Sequence, residues 1–161
     1  MSVKTKSHII EYKEFESFEA LPEEWQKLVD KSIVAIKSAH APYSDFKVGA
    51  AIQLEDGSII EGSNQENAAY PSGLCAERVA LFYAHHKFPD IHIKKIAVLA
   101  ENRQRKITGV SPCGACRQVM VEFSKENTIE ILLRTKEGKY NLFNSVMDLV
   151  PFTFNKKNLD E

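Results

Sequence analysis

Four side chains in two short blocks could do metal chemistry together. The first block is Cys75-Ala76-Glu77-Arg78 and the second is Ser111-Pro112-Cys113-Gly114-Ala115-Cys116; between them they hold all three cysteines of the chain. Three thiolates can grip one Zn²⁺ ion and leave its fourth tetrahedral position free, which is the arrangement of a catalytic rather than a structural zinc. Glu77, two residues past Cys75, would carry the proton of a water at that position. Residue types and spacing therefore point to a hydrolytic site.

The same spacing dictates how the elements must hold these residues. Cys113 and Cys116 are three apart and share a face on the first turn of a helix. Cys75 and Glu77 are two apart and would diverge inside a helix, so Cys75 is expected at or just before a helix start. Both blocks would then sit at helix N-termini, whose partial positive charge stabilises thiolates. Two plainer readings compete with this one. Free cysteines are often inert core residues, and a closed structural site would need a fourth ligand, for which His85 or His86 is the candidate.

The blocks C-A-E-R and P-C-G-A-C-R resemble the signature of the zinc-dependent nucleoside and nucleobase deaminases, in the variant with cysteine replacing the first histidine. Within that class, A-P-Y-S-D-F-K-V-G-A-A (Ala41 to Ala51) and N-Q-E-N-A-A-Y (Asn64 to Tyr70) resemble the cytidine deaminases. The resemblance runs from about Ala41 to Phe123. It implies zinc as cofactor on Cys75, Cys113 and Cys116, with Glu77 as the catalytic acid and base. The implied reaction is hydrolytic deamination of cytidine and 2′-deoxycytidine to the uridines and ammonia, in pyrimidine salvage. The resemblance also implies that Phe46 packs on the pyrimidine, that Asn64 and Glu66 hydrogen-bond the ribose hydroxyls, and that Tyr70 lies near the sugar. Three-cysteine members at this length go with homotetramers in which a C-terminal aromatic reaches a neighbouring subunit's site. Phe154 is the matching residue here, with Phe152 the alternative. Arg78 is the nearest cation in sequence able to offset three thiolates, by hydrogen bonding a ligand sulfur.

By type alone, Phe46 would more often be core than a platform for a base, and Glu66 a solvated surface acid. Three rival functions are weighed. Blasticidin-type deaminases share the zinc motifs but lack the N-x-E-N-A-A-Y segment. A polynucleotide-editing deaminase would want a basic field, whereas the formal net charge is -1. A zinc-stabilised scaffold would not need Glu77 and would fill the fourth coordination position.

Composition agrees with a soluble enzyme on a small neutral substrate. The chain has 161 residues, 43% hydrophobic and 27% charged, which suits one domain with an ordinary core. An odd cysteine count rules out a complete disulfide framework and suggests a reducing compartment. No secretory leader or membrane-spanning run is visible, so the expected location is the cytoplasm, with neither nucleic acid nor membrane as partner.

Apolar periodicity supplies the elements. Residues 1–20 read as an N-terminal extension with a short edge strand, and 21–161 as a single catalytic domain. A helix is expected from Pro22, with Trp25, Leu28, Val29, Ile33 and Ile36 as its stripe, ending near His40. Strands are expected over 47–54, 58–63, 93–100, 128–134 and 140–143, and helices from Ala76 to near His86 and from a Ser111-Pro112 cap through Phe123. Residues 101–108 read as a loop, and Ser145 as the cap of a short helix. The fold class is α/β, a three-layer α/β/α sandwich around a mixed five-stranded sheet.

Overall fold

The computed structural model describes residues 2–125 and 128–159. Met1, Glu126, Asn127, Asp160 and Glu161, included in the expected extension and domain, lie outside them. Helix α1 (Glu23–Ile36) starts just after Pro22, with Glu23 and Glu24 in its first turn and Trp25, Leu28, Val29 and Ile36 buried. It ends before the expected His40. The amides of Lys37, Ser38 and Ala39 close tighter bonds to Val34, Ala35 and Ile36, and the His40 amide then leaves to pair with the Asn64 carbonyl.

Strands β2 (Lys47–Leu54) and β3 (Ile59–Ser63) form the expected hairpin, and β2 pairs antiparallel with β4 (Ile93–Glu101) on its other side. β4 runs parallel to β6 (Glu130–Arg134), which pairs antiparallel with β7 (Tyr140–Phe143). Among the described residues the sheet has seven strands rather than five. One addition is the edge strand expected in the extension, β1 (Tyr12–Phe15), which pairs with β7 and sets Tyr12 against Phe143 at 5.3 Å. The other is β5 (Ile107–Thr108), which folds back on β4 where a loop was expected. The order is β1-β7-β6-β4-β2-β3, with β5 off the path beside β4.

Alternation along the strands sorts the core into two halves. Ala50, Ile52, Ile96, Val98, Ile131 and Leu133 face the buried sides of helices α2 (Ala76–Lys87) and α3 (Gly114–Phe123). Ala51, Ala97, Leu99 and Leu132 meet Trp25, Leu28 and Val29 of α1 on the opposite face. The result is the expected three layers. A Cβ on Gly49 would lie 2.0 Å from the Ser32 carbonyl, so the missing side chain lets α1 lie directly on β2. A parallel β4–β6 pair requires a crossover, and α3 occupies it. That crossover delivers the second cysteine block to the same sheet end as the first.

Candidate active site

Cys75 is the N-cap of α2 and Cys113 the N-cap of α3, so both blocks present helix N-termini as the spacing requires. The second helix starts later than expected, at Gly114 rather than after a Ser111 cap. The reason is that the Ser111 hydroxyl accepts a hydrogen bond from Arg117 Nη2 at 3.0 Å and does not cap the helix. Neither cysteine sulfur bonds the helix amides, which leaves both free to converge.

They do converge. The Cys75 and Cys113 sulfurs are 3.9 Å apart and those of Cys113 and Cys116 3.5 Å, with all three within 4.8 Å of one another. Tetrahedral Zn–S bonds of about 2.3 Å put sulfurs about 3.8 Å apart, so the cluster fits that ion. Among the described residues no histidine or carboxylate joins the cluster. His85, the possible fourth ligand, stacks instead on Phe123 at 4.7 Å.

The sulfurs share their protons unequally. A hydrogen bond from the Cys116 thiol, with smaller help from Arg78 and Cys113, outweighs burial and pulls Cys75 down to about 5. Cys116, which donates that bond and is itself buried, is pushed up. A metal ligand must be the thiolate, so binding the ion releases the proton that Cys116 holds. Arg78 Nη2 lies 4.0 Å from the Cys75 sulfur and donates to the Gly73 carbonyl at 3.2 Å. Glu77 is only 3% exposed, and burial, reinforced by the neighbouring Cys75 charge, raises its carboxyl above the usual range.

A cavity of about 640 Å³ opens in front of this cluster, lined among others by Cys75, Cys113, Glu77, Arg78, Asn64 and Glu66. Its size is ordinary for a small-molecule site. Asn64 is nearly buried; its Oδ1 accepts from the Val48 amide at 2.8 Å and its Nδ2 donates to the Phe46 carbonyl at 3.0 Å. Glu66 Oε2 accepts from the amides of Tyr43 and Ser44 at 2.9 and 3.2 Å, and Oε1 accepts from the Ser44 hydroxyl. These bonds, the Ser44 hydroxyl first, hold the Glu66 carboxyl below the usual carboxylate range.

The aromatic rings at the cavity are Tyr43 and Tyr70, edge to face at 6.0 Å. Phe46, expected to face the pyrimidine, is half-buried at the entry to β2 and is not among the lining residues. Phe152 and Phe154 are exposed, and Gln118 Nε2 ties the Phe154 carbonyl to α3 at 2.7 Å.

A family profile described as "Cytidine and deoxycytidylate deaminase zinc-binding region" matches residues 22–131, a span that contains all three cysteines and Glu77. The chain belongs to this deaminase family. A cytidine deaminase of Halalkalibacterium halodurans is 39% identical over 136 residues, 84% of this chain and 98% of the relative. One of Sporosarcina psychrophila is 40% identical over 134 residues, 83% of this chain and 93% of the relative. The crystal structure of a cytidine deaminase from Burkholderia pseudomallei matches with a TM-score of 0.69 at 39% identity, over 80% of this chain and 98% of that one. The metal of the cysteine cluster in this zinc-binding family is zinc.

Two residues of this deaminase site escape a reading of the sequence for chemistry. Arg117 closes the C-G-A-C-R block and braces it, with Nε on the Pro112 carbonyl and Nη1 on the Leu149 carbonyl. Ser44 lies inside the A-P-Y-S-D-F block and holds Glu66. Both stand within segments that carried the family resemblance, which is the one signal that could have found them.

Proposed function

We propose that the chain is a cytidine deaminase: cytidine or 2′-deoxycytidine plus water gives the corresponding uridine and ammonia. The observation that carries this reading is the three-sulfur cluster joined to the buried Glu77 carboxyl at one nucleoside-sized cavity. Zinc held by Cys75, Cys113 and Cys116 would supply Lewis acidity, which makes a water easier to ionise.

The side chains do the rest. Glu77 accepts the proton that water loses, passes it to ring N3, and then helps protonate the departing amine. Burial keeps its carboxyl out of bulk solvent, so the proton is held for the ring rather than lost. Arg78 offsets part of the thiolate charge beside Cys75, which would otherwise oppose ionisation of the water.

Asn64 and Glu66 take the sugar. An ionised carboxylate has about four acceptor sites; Tyr43, Ser44 and the Ser44 hydroxyl occupy three on Glu66, leaving one for a ribose hydroxyl. Asn64 uses its oxygen and one amide hydrogen on the backbone, and its other hydrogen is free for the same sugar. Phe46 fixes Asn64 through its carbonyl, and its ring, at the entry to β2, is the one that packs on the pyrimidine. Tyr70 lies beside the sugar.

We extend the proposal to residues 21–161 as the catalytic unit, with 1–20 an extension, and to a cytoplasmic homotetramer acting in pyrimidine salvage. Support for assembly comes from the exposed rings of Phe152 and Phe154, of which Phe154 contacts a neighbouring subunit's site. Support for the location is that three unpaired thiols persist in a reducing compartment. Among the described residues no helix is long and apolar enough to cross a membrane.

The test uses zinc-loaded protein with cytidine, 2′-deoxycytidine, free cytosine and a short oligonucleotide, following ultraviolet absorbance and ammonia. Turnover of both nucleosides is expected. Glu77→Gln should cut the rate by about 10²–10⁴ or more with zinc retained. Failure of the zinc-loaded protein to turn over either nucleoside refutes the reading, and turnover of free cytosine alone removes Asn64 and Glu66 from the site.

A further inference from the structure

The antiparallel pairing of β2 with β4 sets Lys47 opposite Glu101. The chain entering β2 and the chain leaving β4 therefore meet at one end of the sheet. Residues 43–46 lead into β2 there, with Tyr43 and Ser44 forming part of the cavity wall, and residues 102–106 form the turn that leads to β5. Two arginines of that turn grip the wall. Arg103 Nε donates to the Ser44 carbonyl at 2.9 Å. Arg105 pairs with the Asp45 carboxylate at 3.0 Å and with Glu101 at 3.3 Å.

The grip falls where the wall needs support. Asp45 has φ 51°, in the left-handed region that a non-glycine residue seldom adopts. Ser44, on whose carbonyl Arg103 sits, gives its hydroxyl to Glu66 and takes the Phe46 amide on the same oxygen at 3.0 Å. The turn that carries the arginines is itself pinned. Asn102 Oδ1 accepts from the amides of Gln104 and Lys106 at 3.0 and 3.1 Å, and the Arg105 amide closes on the Asn102 carbonyl at 2.9 Å.

We propose that Arg103, seconded by Arg105, is a positioning residue for the sugar side of the site, acting through Ser44 on Glu66. Arg103 does not line the cavity. It fixes the carbonyl of Ser44, the residue whose hydroxyl and amide, with the Tyr43 amide, orient the Glu66 carboxylate, so the remaining acceptor site points one way before a nucleoside arrives. Preorganisation of this kind shows as affinity, because the ordering cost is met before binding. The inference rests on the reading that Glu66 faces the sugar.

The experiment compares zinc-loaded wild type, Arg103→Ala, Arg103→Lys and Arg105→Ala with cytidine and with 2′,3′-dideoxycytidine, which lacks the hydroxyls Glu66 would bind. Both arginines are exposed, so the variants should fold and keep zinc. For Arg103→Ala, KM for cytidine should rise about three- to tenfold with kcat little changed, the size of one ordinary hydrogen bond, since the Arg103–Ser44 contact is solvent-exposed. KM for the dideoxy nucleoside should barely move. Arg103→Lys should recover part of the loss, and Arg105→Ala should follow Arg103→Ala more weakly. Hydrogen exchange at the amides of Tyr43, Ser44 and Phe46 should quicken in Arg103→Ala. An unchanged KM, or an equal loss on both substrates, overturns the proposal while leaving the deaminase reading intact. A wild type that deaminates neither nucleoside overturns both.

Discussion

The Arg117 guanidinium reaches the Leu149 carbonyl at 2.9 Å, across 32 residues of chain. Its other nitrogens hold the Pro112 carbonyl at 2.8 Å and the Ser111 hydroxyl at 3.0 Å. One side chain thus fastens the approach to Cys113 to the turn Val146–Asp148 that follows β7. Arg117→Ala should lower unfolding free energy by about 1–3 kcal/mol, as three acceptors lose a charged donor. It should also weaken zinc retention about tenfold to a hundredfold, the usual cost of losing a group that braces a ligand. Arg117→Lys should rescue little, because one ammonium cannot span three separated acceptors. Denaturant melts and the rate of zinc loss to a chelator check this; an unchanged rate would refute the bracing role.

Much of that frame is legible in the chain, and the exceptions have physical causes. The position of Cys75 ahead of α2 follows from its two-residue offset from Glu77, since only a helix start lets both side chains converge. The start of α3 does not follow, because Ser111-Pro112 has the composition of a cap while Arg117 takes the Ser111 hydroxyl from elsewhere. Periodicity finds β2, β4, β6 and β7 but is blind to β5, two residues long and held by its pairing to β4. Strand order is likewise a long-range outcome that no local pattern encodes. At the site, the ligand cysteines and Glu77 announce themselves by type. Ser44, Arg103 and Arg117 do not, because their work is done on backbone and carboxylate partners distant in sequence.

Gly62 is where β3 meets the start of α2. A Cβ there would lie 2.6 Å from both the Ala76 carbonyl and the Ala80 amide, neither of which can swing aside as a side chain would. Gly62→Ala should push α2 away from the sheet and carry Cys75 with it. A stability loss of about 1–3 kcal/mol is expected, with zinc affinity falling in parallel. Thermal melts with and without added zinc separate the two effects. A variant as stable as wild type, with full zinc content, would show that the helix start has slack.

Glu66 makes part of the fold depend on acid. Its carboxyl is held below the usual range, by the Ser44 hydroxyl first and by the Tyr43 and Ser44 amides after burial has opposed them. A depressed carboxyl stabilises the fold fully above its unfolded value near 4.5, and the contribution is lost as pH falls through the lower folded value. Glu66→Gln keeps the shape but not the charge. The stability gap between wild type and this variant should be about 1 kcal/mol or less at neutral pH, given the exposure of the group. It should close in acid. Denaturant melts at pH 7 and below pH 4 test this, and a gap that widens in acid would reverse the assigned sign.

The cysteine cluster makes its own prediction when zinc is stripped. With Cys75 pulled down to about 5 by the Cys116 thiol that donates to it, and Cys116 pushed up in turn, the first sulfur is a thiolate near neutral pH. Only the thiolate is alkylated. Metal-free protein treated briefly with iodoacetamide at about pH 6.5 should therefore be modified at Cys75 before the buried Cys116. Zinc should protect all three cysteines, since their lone pairs then lie on the metal. Peptide mass spectrometry reads the order directly. Modification of Cys116 ahead of Cys75 would mean the shared proton sits on the other sulfur, and equal labelling with and without zinc would mean the three sulfurs do not hold the ion.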